Sequence, residues 1–187
     1  MNMLTETVLH TERLVLRPLV ATDAGALFAV FSDPEVMRYW SCAPWTGIAQ
    51  ADHDIAGAGE GLASGAMLRL GIELAASGEL AGQIRMHRFD QQNRRCEVGY
   101  ALGRPYWGRG YLGEAMKAML DHGFSALDLN RVEADVDPRN AASARLLERM
   151  GFEREGLLRE RWIVAGEVCD TAFYGLLKSD WDERRSR

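Results

Sequence analysis

The segment Trp107-Gly108-Arg109-Gly110-Tyr111-Leu112-Gly113-Glu114-Ala115 has the makings of an anion-binding turn. A short apolar stretch, residues 96–102, ends at Gly103 just before it, and an amphipathic helical pattern starts at Glu114. A strand, a glycine-rich turn and a helix start, in that order, leave backbone N–H groups without partners at one point. The helix dipole adds positive potential there, and glycine lets a phosphate come close to the main chain. Arg104, Arg109 and Lys117 add cationic side chains nearby. The spacing is not that of a Walker loop, GxxxxGK[ST]. Taken alone, the turn is either a phosphate site or a helix start whose glycines serve packing.

The elements around this turn follow from periodicity. Residues 13–19 alternate apolar and charged side chains, a strand signal. Asp23 precedes Ala26, Leu27, Val30 and Phe31, which are spaced for an amphipathic helix that Asp33-Pro34 ends. Residues 37–46 are aromatic-rich but aperiodic, so they predict a loop that turns Tyr39, Trp40 and Trp45 inward. Residues 48–62 predict a helix weakened by Gly57, Gly59 and Gly61. Residues 67–74 and 80–88 predict strands joined at Ser77-Gly78. After the polar stretch 91–95 come a strand (96–102), a helix (114–127), a strand (131–136) and a helix (141–150). Asn140 is placed as the N-cap of that last helix, and Gly151 ends it. Residues 152–164 and 168–177 form a last strand pair around Ala165-Gly166, and residues 184–187 read as a frayed tail. The order predicts an α/β fold: a mixed central sheet of about seven strands with helices on both faces. It predicts a single domain over residues 1–187, with its core at about 11–181.

Bulk composition sets outer limits. The chain has 187 residues, 47% hydrophobic and 26% charged, with a formal net charge of −5. That balance disfavours general nucleic-acid binding, which needs a basic excess. Cys42, Cys96 and Cys169 form no CxxC pair, which predicts reduced thiols, no metal site and a cytoplasmic protein. Glu6, His10 and Glu12 interrupt the N-terminal stretch, so no signal peptide is read there, and no apolar run is long enough to span a membrane. His10, His53, His87 and His122 have no partners at useful spacing and read as structural or solvated.

Taken together, four ordered segments resemble the GNAT acetyltransferases, and within them the RimJ/RimL group, which acetylates ribosomal-protein N-termini and related amines. These are residues 11–19 (TERLVLRPL), residues 96–102 with 107–111 (CEVGYAL and WGRGY), residues 140–152 (NAASARLLERMGF) and residues 173–181. The superfamily pattern Gln/Arg-x-x-Gly-x-Gly/Ala, aligned on Gly110, meets Trp107 in its first place and Leu112 in its last. Trp107 is usual for the subgroup. Leu112 is not, so its side chain must turn away from the phosphates or the loop must open.

The resemblance implies acetyl-CoA as donor and a primary amine as acceptor, attacked directly. The acceptor it implies is a peptide N-terminal amine; a small amine such as a polyamine, amino acid or antibiotic, or a non-catalytic acetyl-CoA-binding module, are the alternatives. It also implies the possibility of a homodimer. The cofactor residues it points to are Val98, Gly99, Tyr100, Ala101, Leu102, Arg104, Gly108, Arg109, Gly110, Tyr111, Leu112, Gly113, Glu114, Asn140 and Ser143. The strand at 98–102 would run beside the pantetheine arm, splayed from the strand that begins near Arg131, and an N–H near Gly99 or Tyr100 would face the thioester carbonyl. Glu97 is the leading general base, acting through water; otherwise it is a surface carboxylate paired with Arg94 or Arg95. Glu73 and Asp170 are weaker candidates. Ser143 would serve the departing thiolate. The helix from 141 to 152 offers no tyrosine for that task. Tyr39, Trp40 and Trp45 would wall the acceptor pocket or plug the core.

Overall fold

Strand alternation dictates the layering. The computed structural model describes Leu4 and residues 7–186; Glu6 and Arg187 lie outside the described residues. Along β6 (Arg131–Val136) buried Val132, Ala134 and Val136 alternate with half-buried charged side chains. Along β5 (Arg95–Leu102) the even positions Cys96, Val98 and Leu102 join one core with α4 (Tyr111–Ser125) and α5 (Ala141–Met150), whereas Ala101 joins a second core with α1 (Ala24–Phe31) and Ala51 of α3 (Ala49–Ser64). Period-two alternation thus assigns even and odd side chains of β5 to opposite faces.

The sheet has eight strands, β1 (Leu9–His10), β2 (Leu14–Pro18), β3 (Met67–Leu74), β4 (Leu80–Asp90), β5, β6, β7 (Glu153–Val164) and β8 (Glu167–Leu177), in the order β1-β2-β3-β4-β5-β6-β8-β7. All neighbours are antiparallel except β5 and β6. The eighth strand, β1, is two residues long and too short to show a period. Ala165 (φ 48°) and Gly166 (φ 87°) turn the last hairpin.

Three local expectations change. A single turn, α2 (Pro34–Met37), capped by the Asp33 carboxylate on Glu35 N–H, precedes the aromatic loop. The glycines of α3 do not break it: Gly61 is buried and lets the helix lie close, since a Cβ there would sit 2.9 Å from Met67 Cε. Residues 184–186 are not frayed. They close α6 (Lys178–Arg185) and the turn after it. Trp181 is buried there with its indole N–H on Asp121 at 3.0 Å, and Arg184 donates to the Arg149 carbonyl at 2.8 Å. No helix among the described residues is long and apolar enough to cross a membrane.

Candidate active site

The glycine turn forms a cradle. Gly110 is the N-cap of α4 with φ 81°, and Gly108 has φ 72°. Both values lie in the left-handed region that favours glycine. Among the described residues, no acceptor meets the N–H groups of residues 108–113; the first bonded N–H is that of Glu114, on the Gly110 carbonyl at 3.1 Å. Consecutive free N–H groups at a helix start are a phosphate site, and Gly108, Gly110 and Gly113 have the G-x-G-x-x-G spacing of such turns. Leu112 is half-buried and packs against the core, so its side chain leaves the cradle open. Arg104 pairs with Asp33 at 2.5 Å, and Arg109 is exposed beside the turn. The carboxylate of Glu114 faces inward instead: it accepts from Thr11 Oγ1 at 2.6 Å and from Arg13 N and Nε at 2.8 and 2.7 Å. Arg13 Nη1 also donates to the Arg109 carbonyl at 2.9 Å. The opening strand therefore clamps the turn from outside.

The strand that leads into the turn is held on one edge only. β5 and β6 pair at Arg95↔Arg131, Cys96↔Val132 and Glu97↔Glu133, and no further. β4 follows β5 to Gly82↔Leu102, and β8 follows β6 to Val136↔Ala172, so a wedge opens between β5 and β6. The Gly103 N–H donates to the Ala81 carbonyl at 2.9 Å. Counting back by twos, Ala101 and Gly99 turn their backbone groups to β4, and Val98, Tyr100 and Leu102 turn theirs to the wedge. Of the two amides expected near the thioester, that of Gly99 faces β4 and that of Tyr100 faces the wedge. The Leu102 carbonyl at the wide end accepts from the Trp107 indole at 2.6 Å, which ties the turn to the strand.

The two sequence-assigned catalytic residues lie on opposite faces. On the α4–α5 face, Ser143 Oγ is 2.5 Å from Tyr100 Oη. Asn140 caps α5 by accepting from Ser143 N at 3.1 Å, which fixes the serine. Burial pushes the Tyr100 phenol up to about 12 despite its hydrogen bond to Ser143, so it stays protonated. Either hydroxyl can donate in this pair; with Tyr100, the more acidic, as donor, the Ser143 hydrogen is left free for another acceptor. The hydroxyl pair supplies a tyrosine at this point from the strand rather than from α5.

On the α1–α3 face, Glu97 accepts from Arg88 Nη1 at 2.7 Å. Its partner is thus Arg88; Arg94 pairs with Asp128 and Arg95 with Glu133. Burial holds the Glu97 carboxyl above the usual carboxylate range, with Arg88 opposing and Asp135 adding to the rise. His87 stands opposite Glu97 in register, its Nε2 3.7 Å away. Burial, with Arg85, Arg88 and Arg69, lowers the His87 pKa to about 4, so this contact is not an ion pair at neutral pH. Glu73 is paired with Arg17 at 2.5 Å, and Asp170 accepts from Glu160 N at 2.8 Å. Asp135, which the sequence did not single out, lies two residues beyond Glu133 on β6, on the Glu97 side of the wedge; among the described residues its carboxylate accepts only from the Trp162 indole, at 3.4 Å.

A roof covers this face. Trp45 stacks on Phe31 at 4.6 Å and Trp40 meets it edge-on at 5.2 Å. Trp40 also lies 5.6 Å from the Arg85 guanidinium on β4, and Tyr39 lies 5.9 Å from that of Arg139, just past β6. The loop at 38–46 thereby spans from β4 to the end of β6, over the wedge. Trp45 further lines a cavity of about 340 Å³ with Ala49, Gln50, His53 and Asp54.

A sheet parted between two parallel strands, with a glycine turn and unbonded N–H groups at the end of one of them, is the architecture of an acyl-CoA-dependent transferase. Residues 13–153 match the acetyltransferase (GNAT) domain model, and the chain belongs to that family, whose acetyl donor is acetyl-CoA. It is 39% identical over 173 residues to an uncharacterized N-acetyltransferase, p20, of Bacillus licheniformis, covering 92% of this chain and 97% of that one. It is 27% identical to the spermidine N(1)-acetyltransferase of Escherichia coli strain K12, over 81% of this chain and 79% of the relative. Among solved structures, RimJ of Mycobacterium smegmatis in complex with CoA-disulfide superimposes with a TM-score of 0.80 at 26% identity, covering 91% of this chain and 87% of that one. The protein is an acetyltransferase.

Proposed function

We propose that the enzyme acetylates a primary amine by direct attack, with donor and acceptor meeting through the wedge between β5 and β6. The observation that carries this reading is the placement of the Tyr100–Ser143 hydroxyl pair on one face and Glu97 on the other, with the unpaired edge of β5 between them. Residues 108–113 would hold the pyrophosphate with their free N–H groups, and the backbone of Val98, Tyr100 and Leu102 would pair with the pantetheine amides. Acetyl-CoA, when bound, supplies the activated acetyl group. Glu97, ionised above its raised pKa, takes the amine proton through water. The Tyr100 N–H faces the developing oxyanion. Ser143, its oxygen occupied by the Tyr100 phenol, offers its hydrogen to the leaving sulfur.

The acceptor supported best is the N-terminal amine of a protein or peptide, in keeping with the likeness to RimJ. A polyamine fits this face poorly, because Arg85 stands there with no carboxylate in ion-pair distance among the described residues and Arg69 and Arg88 lie close by. Cys42, Cys96 and Cys169, all unpaired thiols, suit the cytoplasm, where acetyl-CoA is made and used. Release of free CoA thiol, followed with a panel of peptides and small amines, tests the reading. Tight acetyl-CoA binding without turnover on any of them would overturn it, and turnover confined to small amines would overturn the peptide assignment.

A further inference from the structure

Arg85 stands unmatched on the acceptor face. It lies on β4 directly opposite Gly99, one same-face step from the His87–Glu97 pair, about 7 Å along the strand. Its Nε is sealed from solvent without a hydrogen-bond partner. Among the described residues, no carboxylate comes within ion-pair distance of its guanidinium, and neither Nη group makes a hydrogen bond. Its neighbours on this face differ: Arg17 has Asp23 and Glu73, Arg69 has Asp54, Arg88 has Glu97, and Arg131 has Glu133 and Glu155. Leaving a guanidinium half-buried and unpaired is costly, and burial together with Arg69 disfavours its charge further.

The fold nonetheless makes room for it. A Cβ on Gly99 would lie 3.1 Å from Arg85 Nε and 3.6 Å from its Cγ, so the glycine lets the side chain lie flat across β5. Trp40 covers it from the loop above. The guanidinium is thus held in place under Trp40, next to the base and the wedge, with no carboxylate or hydrogen-bond acceptor among the described residues to pair with it.

Building on the amine-acetylation reading, we propose that Arg85 binds a carboxylate that the acceptor carries close to its reactive amine. The acceptor is then a zwitterion, its amine toward Glu97 and Asp135 and its acid toward Arg85. An α-amino acid brings that group as its own carboxylate, whereas a peptide brings it as an Asp or Glu side chain at or next to its N-terminus.

Two measurements decide it. In the first, kcat/KM is compared between α-amino acids and their amides, and between peptides that begin with Asp or Glu and those that begin with Asn or Gln; spermidine is included. One acidic set should exceed its neutral isosteres by about 10- to 100-fold, the worth of a charge-assisted pair, and which set does so identifies the source of the carboxylate. Arg85→Met should collapse that ratio toward one, chiefly through KM, and Arg85→Lys should restore part of it. The second measurement needs no turnover: the N-acetylated forms of the same acids and amides are titrated into the CoA-loaded protein, wild type and Arg85→Met. The acid should bind more tightly than the amide in the wild type only. Thermal unfolding of Arg85→Met should show an unchanged or higher Tm, since no ion pair or hydrogen bond is lost and a methionine can still pack against Trp40. Equal handling of acid and amide in both measurements, a preference for spermidine, or a marked fall in Tm would overturn the proposal. If turnover fails with every amine but the acid still binds preferentially through Arg85, the transfer reading falls and the anion site stands.

Discussion

Replacing Gly110 with valine tests whether the turn before α4 holds the pyrophosphate. Gly110 sits at φ 81°, where a β-branched residue is strained by about 1–2 kcal/mol. The position is exposed, and an added Cβ meets only Arg13 Nη2, at 3.3 Å, which has to give by only a few tenths of an ångström. The fold should therefore survive, with Tm lower by about 2–8 °C. Binding should not survive, because relieving the strain rotates the N–H groups that follow Gly110 out of the cradle. A hydrogen bond to a charged group is worth about 1.5–3 kcal/mol, so losing two costs about 3 kcal/mol or more. At about 1.4 kcal/mol per tenfold, the Kd for acetyl-CoA should rise by at least about 100-fold. Gly113→Ala is the control: a Cβ there would meet only Leu146 Cδ1, at an ordinary 3.8 Å, and the variant should bind almost normally. Calorimetric titration of acetyl-CoA, with thermal unfolding in parallel, reads both. Unchanged affinity in Gly110→Val, or an equal loss in Gly113→Ala, would refute the placement of the cradle.

Three further outcomes follow from the geometry. Glu97 must be ionised to act, and burial raises its pKa, so kcat/KM should fall as the pH drops through that raised value; Glu97→Gln should remove this acid limb and lower kcat by about 100-fold or more, and an unaltered pH profile would take the base role from Glu97. His87 has its pKa lowered to about 4 in the fold, so the unfolded chain binds its proton first; stability should be full above about pH 6.5 and decline as the pH falls toward 4, by up to about 3 kcal/mol, and His87→Asn should flatten that decline in denaturant titrations. A Cβ on Gly82 would stand 2.1 Å from the Ala101 carbonyl, so Gly82→Ala should part β4 from β5 and cost about 3 kcal/mol or more by thermal unfolding; a Tm near that of the wild type would show that the strands can separate cheaply there.

What the sequence revealed and what it hid divide by range. Asn140 at the head of α5, Gly151 at its end and the Ala165-Gly166 turn are local devices, and each stands where the residue types placed it. The mixed sheet with helices on both faces was legible for the same reason. The tail was misread because α6 is polar along nearly all its length; what orders it is Trp181 on Asp121, sixty residues back, and Arg184 on the Arg149 carbonyl. The site shows the same split. The turn and the two motif segments are legible as strings of residues. The Arg13–Glu114 clamp joins positions about a hundred residues apart, and no local pattern announces it. His87 looked partnerless because the carboxylate it meets, Glu97, comes from the next strand, and the sequence placed Tyr100 on β5 without showing that its hydroxyl reaches Ser143 on α5.

The wedge itself is the product of side chains at its two ends. At the closed end, Glu133 accepts from Arg95 Nη1 and Arg131 Nε, each at 2.8 Å, so one carboxylate of β6 bridges both strands at the last paired position. Gly175 on β8 leaves space for that bridge, since a Cβ there would stand 2.4 Å from Arg131 Nη2. At the open end, the Trp107 indole occupies the Leu102 carbonyl, which turns away from β4 and would otherwise invite β6 to close. Exposed parallel edges tend to pair, so an open one must be maintained. At the open end the maintaining residue, Trp107, is also the one that connects the strand to the glycine turn. Holding that end of the sheet apart and delivering the glycine turn to its position are thus one structural act, and β5 passes from the zipped end, beside Glu97, to the glycine turn without meeting a partner strand on that side.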